Sequence, residues 1–473
     1  MKHVKAGERI VTGVKNLDKL LDGGLPRDTV TVFAGTPGAG KTTLAQQICY
    51  NNASMDQKAL FFQTLSEPVA KTMKYMGAFS FFDSEKLGTC IEYVDLGGLL
   101  RSNGLENASQ TMLKHIKRVS PAFVVIDSFK AFEDLAESKE DLRKFTYEIA
   151  VQLMAWEITA FLIGEYNKES IETSPLSSVV DGIITLTGRL SFADEHRYFK
   201  VLKMRGTNHD QNSYPYEIGD SGIEIYSVRN SSPLCPQKPE VLKSVRVKSG
   251  ISGLDPLIGG GFPRPSVNLL LGRSGMGKTL FILESICKGA EEQKEKGIIF
   301  SFEMNEQELC KQATSVGWNL TKLIKTGMVE IIYTPQPNIF IERDIEMMQR
   351  RITKLGAKRV AVDSLNVFLE KLREPQVVRE KILQISTIIR SAGAIGFLIK
   401  DALSDNLGVI RLGPDDSVPD AILLLSSEPV ADESRRQFIE VVKMRNTEHA
   451  KGKNPLVIGK NGIKVLPRSK KLR

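Results

Sequence analysis

Cysteine is scarce in this chain. The five thiols, Cys49, Cys90, Cys235, Cys287 and Cys310, are scattered, odd in number and never spaced as C-x-x-C. That excludes a disulfide framework or a thiolate zinc site and fits reduced thiols in a cytoplasmic protein. Long hydrophobic runs are also missing: none reaches the roughly 18 apolar residues that a membrane-spanning helix needs. The first ten residues carry lysines but no apolar block behind them, so they do not read as a secretory leader. Neither charge sign dominates: 64 Lys+Arg against 56 Asp+Glu leave a net +8. Part of that excess sits at the end, in Arg468, Lys470, Lys471 and Arg473. Such a basic tail is either a contact for nucleic acid or an acidic partner, or a solvated end.

What is present is organised. At 473 residues, 41% hydrophobic and 25% charged, the chain is an ordinary globular composition long enough for two or three domains. Residues 12–26, TGVKNLDKLLDGGLP, are echoed by residues 249–263, SGISGLDPLIGGGFP, at a spacing of 249 − 12 = 237. The spacing is 278 − 41 = 237 between Lys41 and Lys278, 363 − 127 = 236 between two aspartates, and 443 − 203 = 240 between two KMR tripeptides. So small a drift over so long a period means two full domains copied from one unit. Residues 230–239 hold three prolines and two serines, a composition that sustains neither a helix nor a central strand. The expected division is a first domain over 1–232, a linker over 233–242, a second domain over 243–466 and a basic tail over 467–473.

Within each copy, short apolar runs bounded by turn residues (29–35, 59–65, 123–127, 159–164) read as strands buried on both faces. Amphipathic stretches such as 138–157 lie between them as helices. This alternation predicts an α/β fold with a mainly parallel sheet flanked by helices.

Directly after an apolar strand the first copy reads Gly35-Thr36-Pro37-Gly38-Ala39-Gly40-Lys41-Thr42-Thr43. The second reads Gly272-Arg273-Ser274-Gly275-Met276-Gly277-Lys278-Thr279-Leu280. Both satisfy G-x-x-x-x-G-K-[ST] in a strand–loop–helix setting, the signature of a P-loop. Glycines let backbone amides curl around phosphate oxygens, and the helix that follows adds its own unpaired amides. Lys41 and Lys278 are then placed to neutralise the β and γ phosphates of ATP, with the Thr42 and Thr279 hydroxyls on Mg2+. A magnesium site also wants a carboxylate at a neighbouring strand end, and Asp127, after four apolar residues, and Asp363, after three, supply it.

The ordered set formed by the TG-x-x-x-LD…GG-x-P segment, the P-loop, the Asp-Ser strand end and the stretch from Val201 to His209 followed by Tyr214-Pro215-Tyr216 resembles KaiC ATPases. Val442 to His449 repeats the element in the second copy. The resemblance covers nearly the whole chain. It implies two tandem RecA-like domains, a double-tiered homohexamer with ATP between subunits, and partners that are further copies of the chain and a KaiB-like or signalling protein. It also implies that the neighbouring subunit's ATP receives Lys203 and Arg205 in one tier and Lys443 and Arg445 in the other; residues i and i+2 of a strand share a face.

In that family the water-activating carboxylate is the first of two glutamates at the end of the strand after the P-loop helix. Glu303 matches it, with Met304 in place of the second. Counting back 237 residues puts Ser66 at the base position of the first copy and Glu67 beside it. The expectation is that the second domain does most of the hydrolysis through Glu303, the first domain binding ATP to hold the ring, with Glu67 the weaker alternative. The family's self-phosphorylation pair, anchored on Asp420, falls on Asp416 and Ser417, leaving Ser417 as the candidate acceptor; before Asp181 the matching residues are Ser177 and Ser178. The competing class is a RecA- or RadA-like recombinase or a helicase acting on nucleic acid, although no cluster of basic and aromatic residues suited to a pore loop stands out.

Overall fold

The computed structural model describes residues 8–64, 69–136, 138–191, 194–226, 245–372, 374–402, 414–429 and 435–466. The chain divides into two compact units, Met1–Ser227 and Val228–Arg473; the expected linker and the basic tail lie outside the described residues.

Each unit is built on a nine-stranded sheet. In the first, the strands lie in the order Gly222–Ile225, Ser213–Gly219, Asp194–Met204, Gly182–Ser191, Val30–Gly35, Thr159–Glu165, Phe123–Asp127, Ala59–Gln63, Ile91–Asp95. From Gly182–Ser191 to Ile91–Asp95 every pairing is parallel, and the other three strands add an antiparallel hairpin series. The second sheet repeats this arrangement, with Ser266–Gly272 in the place of Val30–Gly35. All residues of both P-loop strands are buried, because helices cover both faces and leave no solvent side for polar residues. An apolar core lies on each face of each sheet. This is the tandem RecA-like α/β architecture that the sequence predicts.

Local chemistry sets the element ends. The helix expected over 138–157 spans Lys139–Ala155, and its cap is Ser138, whose Oγ accepts from the Asp141 amide at 3.0 Å. The recurring TG/SG…LD segment is a structural clasp: Asp18 accepts from the Thr12 amide at 2.8 Å, and Asp255 from the Ser249 amide at 2.8 Å. Arg9 donates to the carbonyls of Leu21 and Gly24 and to the Thr207 hydroxyl. Arg246 does the same with Ile258, Gly261 and Thr447. Gly24 and Gly261, at φ 126° and 130°, could carry no Cβ, which would meet the Ile10 or Val247 carbonyl oxygen at 2.2 or 2.4 Å.

The copies solve one core position in different ways. Strand register equates Phe123 with Arg359, since they pair with Ala59 and Gly297. Phe123 is apolar core, whereas the fully buried Arg359 binds Glu295 at 2.8 Å and the carbonyls of Lys248 and Ser285.

A second swap has a pH consequence. On the P-loop helix, Gln47 accepts from the Ile223 amide at 2.8 Å and donates to the Ser221 carbonyl at 3.2 Å, tying down the terminal hairpin. In the second copy Glu284 accepts from the Ile463 amide at 2.7 Å, but when ionised it has no proton to return. Burial pushes its carboxyl up from 4.5 to about 7, more than the Ile463 amide and Lys288 lower it, and Glu292 adds to the rise. Because the folded pKa is raised, the folded state holds the extra proton between about 4.5 and 7. Stability therefore falls as pH rises through that window and stays lower above it. Glu284→Gln is expected to remove this slope and raise second-domain stability at pH 8 by about 1–2 kcal/mol, allowing for solvent screening. Urea unfolding of both proteins at pH 5 and pH 8 checks it; equal pH slopes would contradict the assignment.

Candidate functional site

The two P-loops stand at the C-terminal ends of the central strands, where ligands of parallel α/β sheets bind. Helices Lys41–Asn52 and Lys278–Glu292 begin on the loop lysines, behind Gly40 at φ 85° and Gly277 at φ 88°. A Cβ at Gly40 would come 2.6 Å from Ile218 Cδ1, and one at Gly277 2.4 Å from Ile458 Cδ1, so the terminal hairpin presses on the loop in both copies. Tyr216, from the Tyr-Pro-Tyr motif, adds a hydroxyl hydrogen bond to the Ala39 carbonyl.

Lys41 Nζ donates to the Gly35 carbonyl at 3.0 Å and the Thr36 carbonyl at 2.8 Å, and Lys278 Nζ to Gly272 and Arg273, both at 2.9 Å. Each ammonium is thus folded over its own loop. Burial lowers the Lys41 pKa, with Glu165 and Asp127 opposing the shift. Lys278 has a further partner, Asp401 Oδ1 at 2.7 Å. Asp401 and Glu165 end corresponding strands, 401 − 165 = 236, and the sequence reading missed both. The signal was there: the offset equals that of the two aspartates.

Thr42 Oγ1 donates to Asp127 Oδ2 at 2.6 Å, and Thr279 Oγ1 to Asp363 Oδ2 at 2.9 Å. A hydroxyl and a carboxylate this close, twice, beside a phosphate-binding loop are the oxygen donors a hard divalent cation takes. The peptide after each aspartate, Asp127–Ser128 and Asp363–Ser364, is cis. Burial raises the Asp363 carboxyl to about 6, with Glu303 and Asp401 adding to the rise and Thr279 and Lys278 opposing it.

In the first copy the loop opens onto a cavity of about 450 Å³ that takes in Pro37, Gly38, Lys41, Thr42, Thr43, Asp127 and Glu165. Thr36, Ala39, Ser274, Gly275, Met276 and Leu280 complete the two predicted loops.

Glu303 stands exposed two residues beyond the strand Gly297–Ser301, near enough to Asp363 to raise its pKa. Ser301 fixes the turn, its Oγ donating to the Met304 carbonyl at 2.6 Å and accepting from the Met304 amide. Met304 packs against the core. Within this strand the register of the two copies runs at an offset other than 237. The Thr64 amide donates to the Asp127 carbonyl as the Phe302 amide does to Asp363, so the local offset is 302 − 64 = 238. The register ends at that pair, since Leu65 is not among the described residues. Ser66 and Glu67 lie outside them as well.

The paired cations sit at the ends of strands Asp194–Met204 and Arg435–Met444. These strands are internal to their sheets, but their pairing to the hairpin stops at Lys200 and Ile439, leaving the last residues with one neighbour strand. Lys203 donates to the Ser177 and Val180 carbonyls and Arg205 to Ser178. Lys443 donates to Ser417 and Pro419, and Arg445 to Ser417. In each copy both cations thus grip one segment. Burial lowers the Lys203 and Lys443 pKa values, the adjacent arginine adding to the effect. Asp416 is buried and bound to Lys400 at 2.8 Å, so its charge is compensated within the fold, while Ser417 is exposed.

The comparisons with known proteins agree with this geometry. A family model described as "ATPase: KaiC" matches residues 10–230 and again 247–470. The circadian clock protein KaiC3 of Synechocystis sp. is 28% identical over 97% of this chain and 92% of its own length. The circadian clock oscillator protein KaiC of Thermostichus vulcanus is 26% identical over 97% of this chain and 89% of its own. Among the described residues no helix is long and apolar enough to cross a membrane.

Proposed function

The chain belongs to the KaiC family of ATPases, and on that premise we propose that it works as a double-ring homohexamer in which ATP is held at subunit interfaces and hydrolysed mainly by the second domain. The observation that carries this reading is the site built twice: a P-loop lysine over its loop, a Thr–Asp pair behind it, and a Lys/Arg pair elsewhere in the same domain. Among the described residues, neither cation pair bonds to its own P-loop. Each half of a site is therefore present in one chain without the halves meeting, which fits closure between copies.

In this reading the loop amides and Lys41 or Lys278 hold the β and γ phosphates. Thr42 with Asp127, and Thr279 with Asp363, hold Mg2+, which supplies positive charge to the phosphate oxygens. Lys278 must exchange Asp401 and two carbonyls for phosphate, a trade between charge-assisted partners. Glu303 orients a water and takes its proton. Lys203 and Arg205, or Lys443 and Arg445, bring cations to a neighbour's γ-phosphate, and the carbonyls they now grip keep them extended and ordered. With Asp416 turned inward to Lys400, Ser417 is the residue that an autokinase activity would modify, read by intact-mass measurement after incubation with Mg-ATP. A KaiB-like or other signalling protein is the partner class that such a ring would engage. No feature described here favours the nucleic-acid reading.

Native mass spectrometry with and without ATP tests the assembly. The expected species is a hexamer carrying twelve nucleotides, two per chain; a monomer that binds ATP fully without associating would overturn the interfacial site.

A further inference from the structure

The two cradles differ most at the end away from the phosphates. In the first copy the short helix Val69–Met76 brings Tyr75 and Met76, and the turn after it Phe79, to the wall of the cavity that holds Lys41 and Thr42. Ile218 closes the cavity beside them. Tyr75 is 57% exposed and not packed into the core, and Lys71 Nζ stands 5.8 Å from its ring centroid. Phe79 stacks on Phe81 with ring centroids 5.2 Å apart, which holds its ring in the cavity wall.

The second copy has the same helix end without the rings. Both helices run into a buried apolar residue and a glycine, Met76-Gly77 and Val316-Gly317. One residue earlier stands Tyr75 in the first copy and Ser315 in the second; two residues after the glycine stand Phe79 and Asn319. Ser315 Oγ donates to the Gln312 carbonyl at 2.7 Å, and Asn319 caps the next helix by accepting from the Lys322 amide at 3.0 Å. The nearby Trp318 is only 6% exposed and belongs to the core.

We propose that Tyr75, with Phe79 in the same cavity wall, is the nucleobase platform of the first domain, an aromatic ring on which the base of bound ATP stacks and which the matching helix end of the second domain does not carry. This rests on the reading of the first cradle as an ATP site. A stacked ring recognises the π-face common to all bases and does not read their edges. The platform therefore strengthens retention of the nucleotide more than it selects adenine. It gives the first domain, which the proposed function assigns to holding nucleotide, a means of keeping it.

The test uses the full chain with Lys278→Ala, which silences the second cradle, and measures Mg2+-dependent binding of ATP, GTP and inorganic tripolyphosphate by calorimetry. Tyr75→Ser is expected to weaken ATP and GTP alike by about tenfold, the effect of one base–aromatic stack, and to leave tripolyphosphate unchanged. Tyr75→Phe should restore the parent affinity. In the reciprocal Lys41→Ala chain, Ser315→Tyr should tighten ATP binding. Unchanged ATP affinity in Tyr75→Ser, or an equal loss for tripolyphosphate, overturns the platform. If the Lys278→Ala protein binds neither ATP nor tripolyphosphate before Tyr75 is touched, it is the ATP-site reading that fails.

Discussion

Glu303→Gln is expected to lower ATP turnover by about 10²–10⁴-fold, the usual contribution of a positioned general base. The amide keeps the size and hydrogen-bonding reach of the carboxylate but cannot take a proton from water, so bound ATP should persist while its hydrolysis stops. The size of the loss also measures the division between domains. In the first copy the sequence offers at this point only Ser66, a poor general base, with Glu67 beside it. If the first domain supplied most of the activity, Glu303→Gln would leave turnover near the parent rate and Glu67→Gln would remove it. Phosphate release by each variant, at saturating Mg-ATP, separates the two.

Changing both Lys41 and Lys278 to alanine empties both cradles. Each ammonium would give up its loop carbonyls to bind phosphate, and removing two charge-assisted hydrogen bonds per site is expected to raise the ATP Kd by about 10²-fold or more. The fold should survive, since both side chains sit at helix starts over the loop and not in the apolar clusters. The single variants are expected to differ. Lys278→Ala also strips Asp401 of its cation, leaving a negative charge facing incoming phosphate, whereas Lys41 makes no such close pair among its described bonds. Calorimetry on the double variant, with circular dichroism as a control for folding, decides the matter; undiminished ATP affinity would remove the basis for the functional reading.

The sequence alone determined the repeat, the two P-loops and the strand-end aspartates, because each depends on short-range chemistry that a glycine pattern or an apolar run announces. It also carried the paired cations, through a resemblance spanning the chain. Only the tertiary structure decided what those groups touch. Constant-offset counting could not see that the copies drift to 238 at the strand before Glu303, since register is set by hydrogen bonds between strands far apart in sequence. Nor could it see that Asp401 reaches Lys278, that Lys400 neutralises Asp416, or that Tyr75 lines the same cavity as Lys41. Those pairings join residues up to 123 positions apart, and they exist only because a parallel sheet gathers the ends of its strands along one edge.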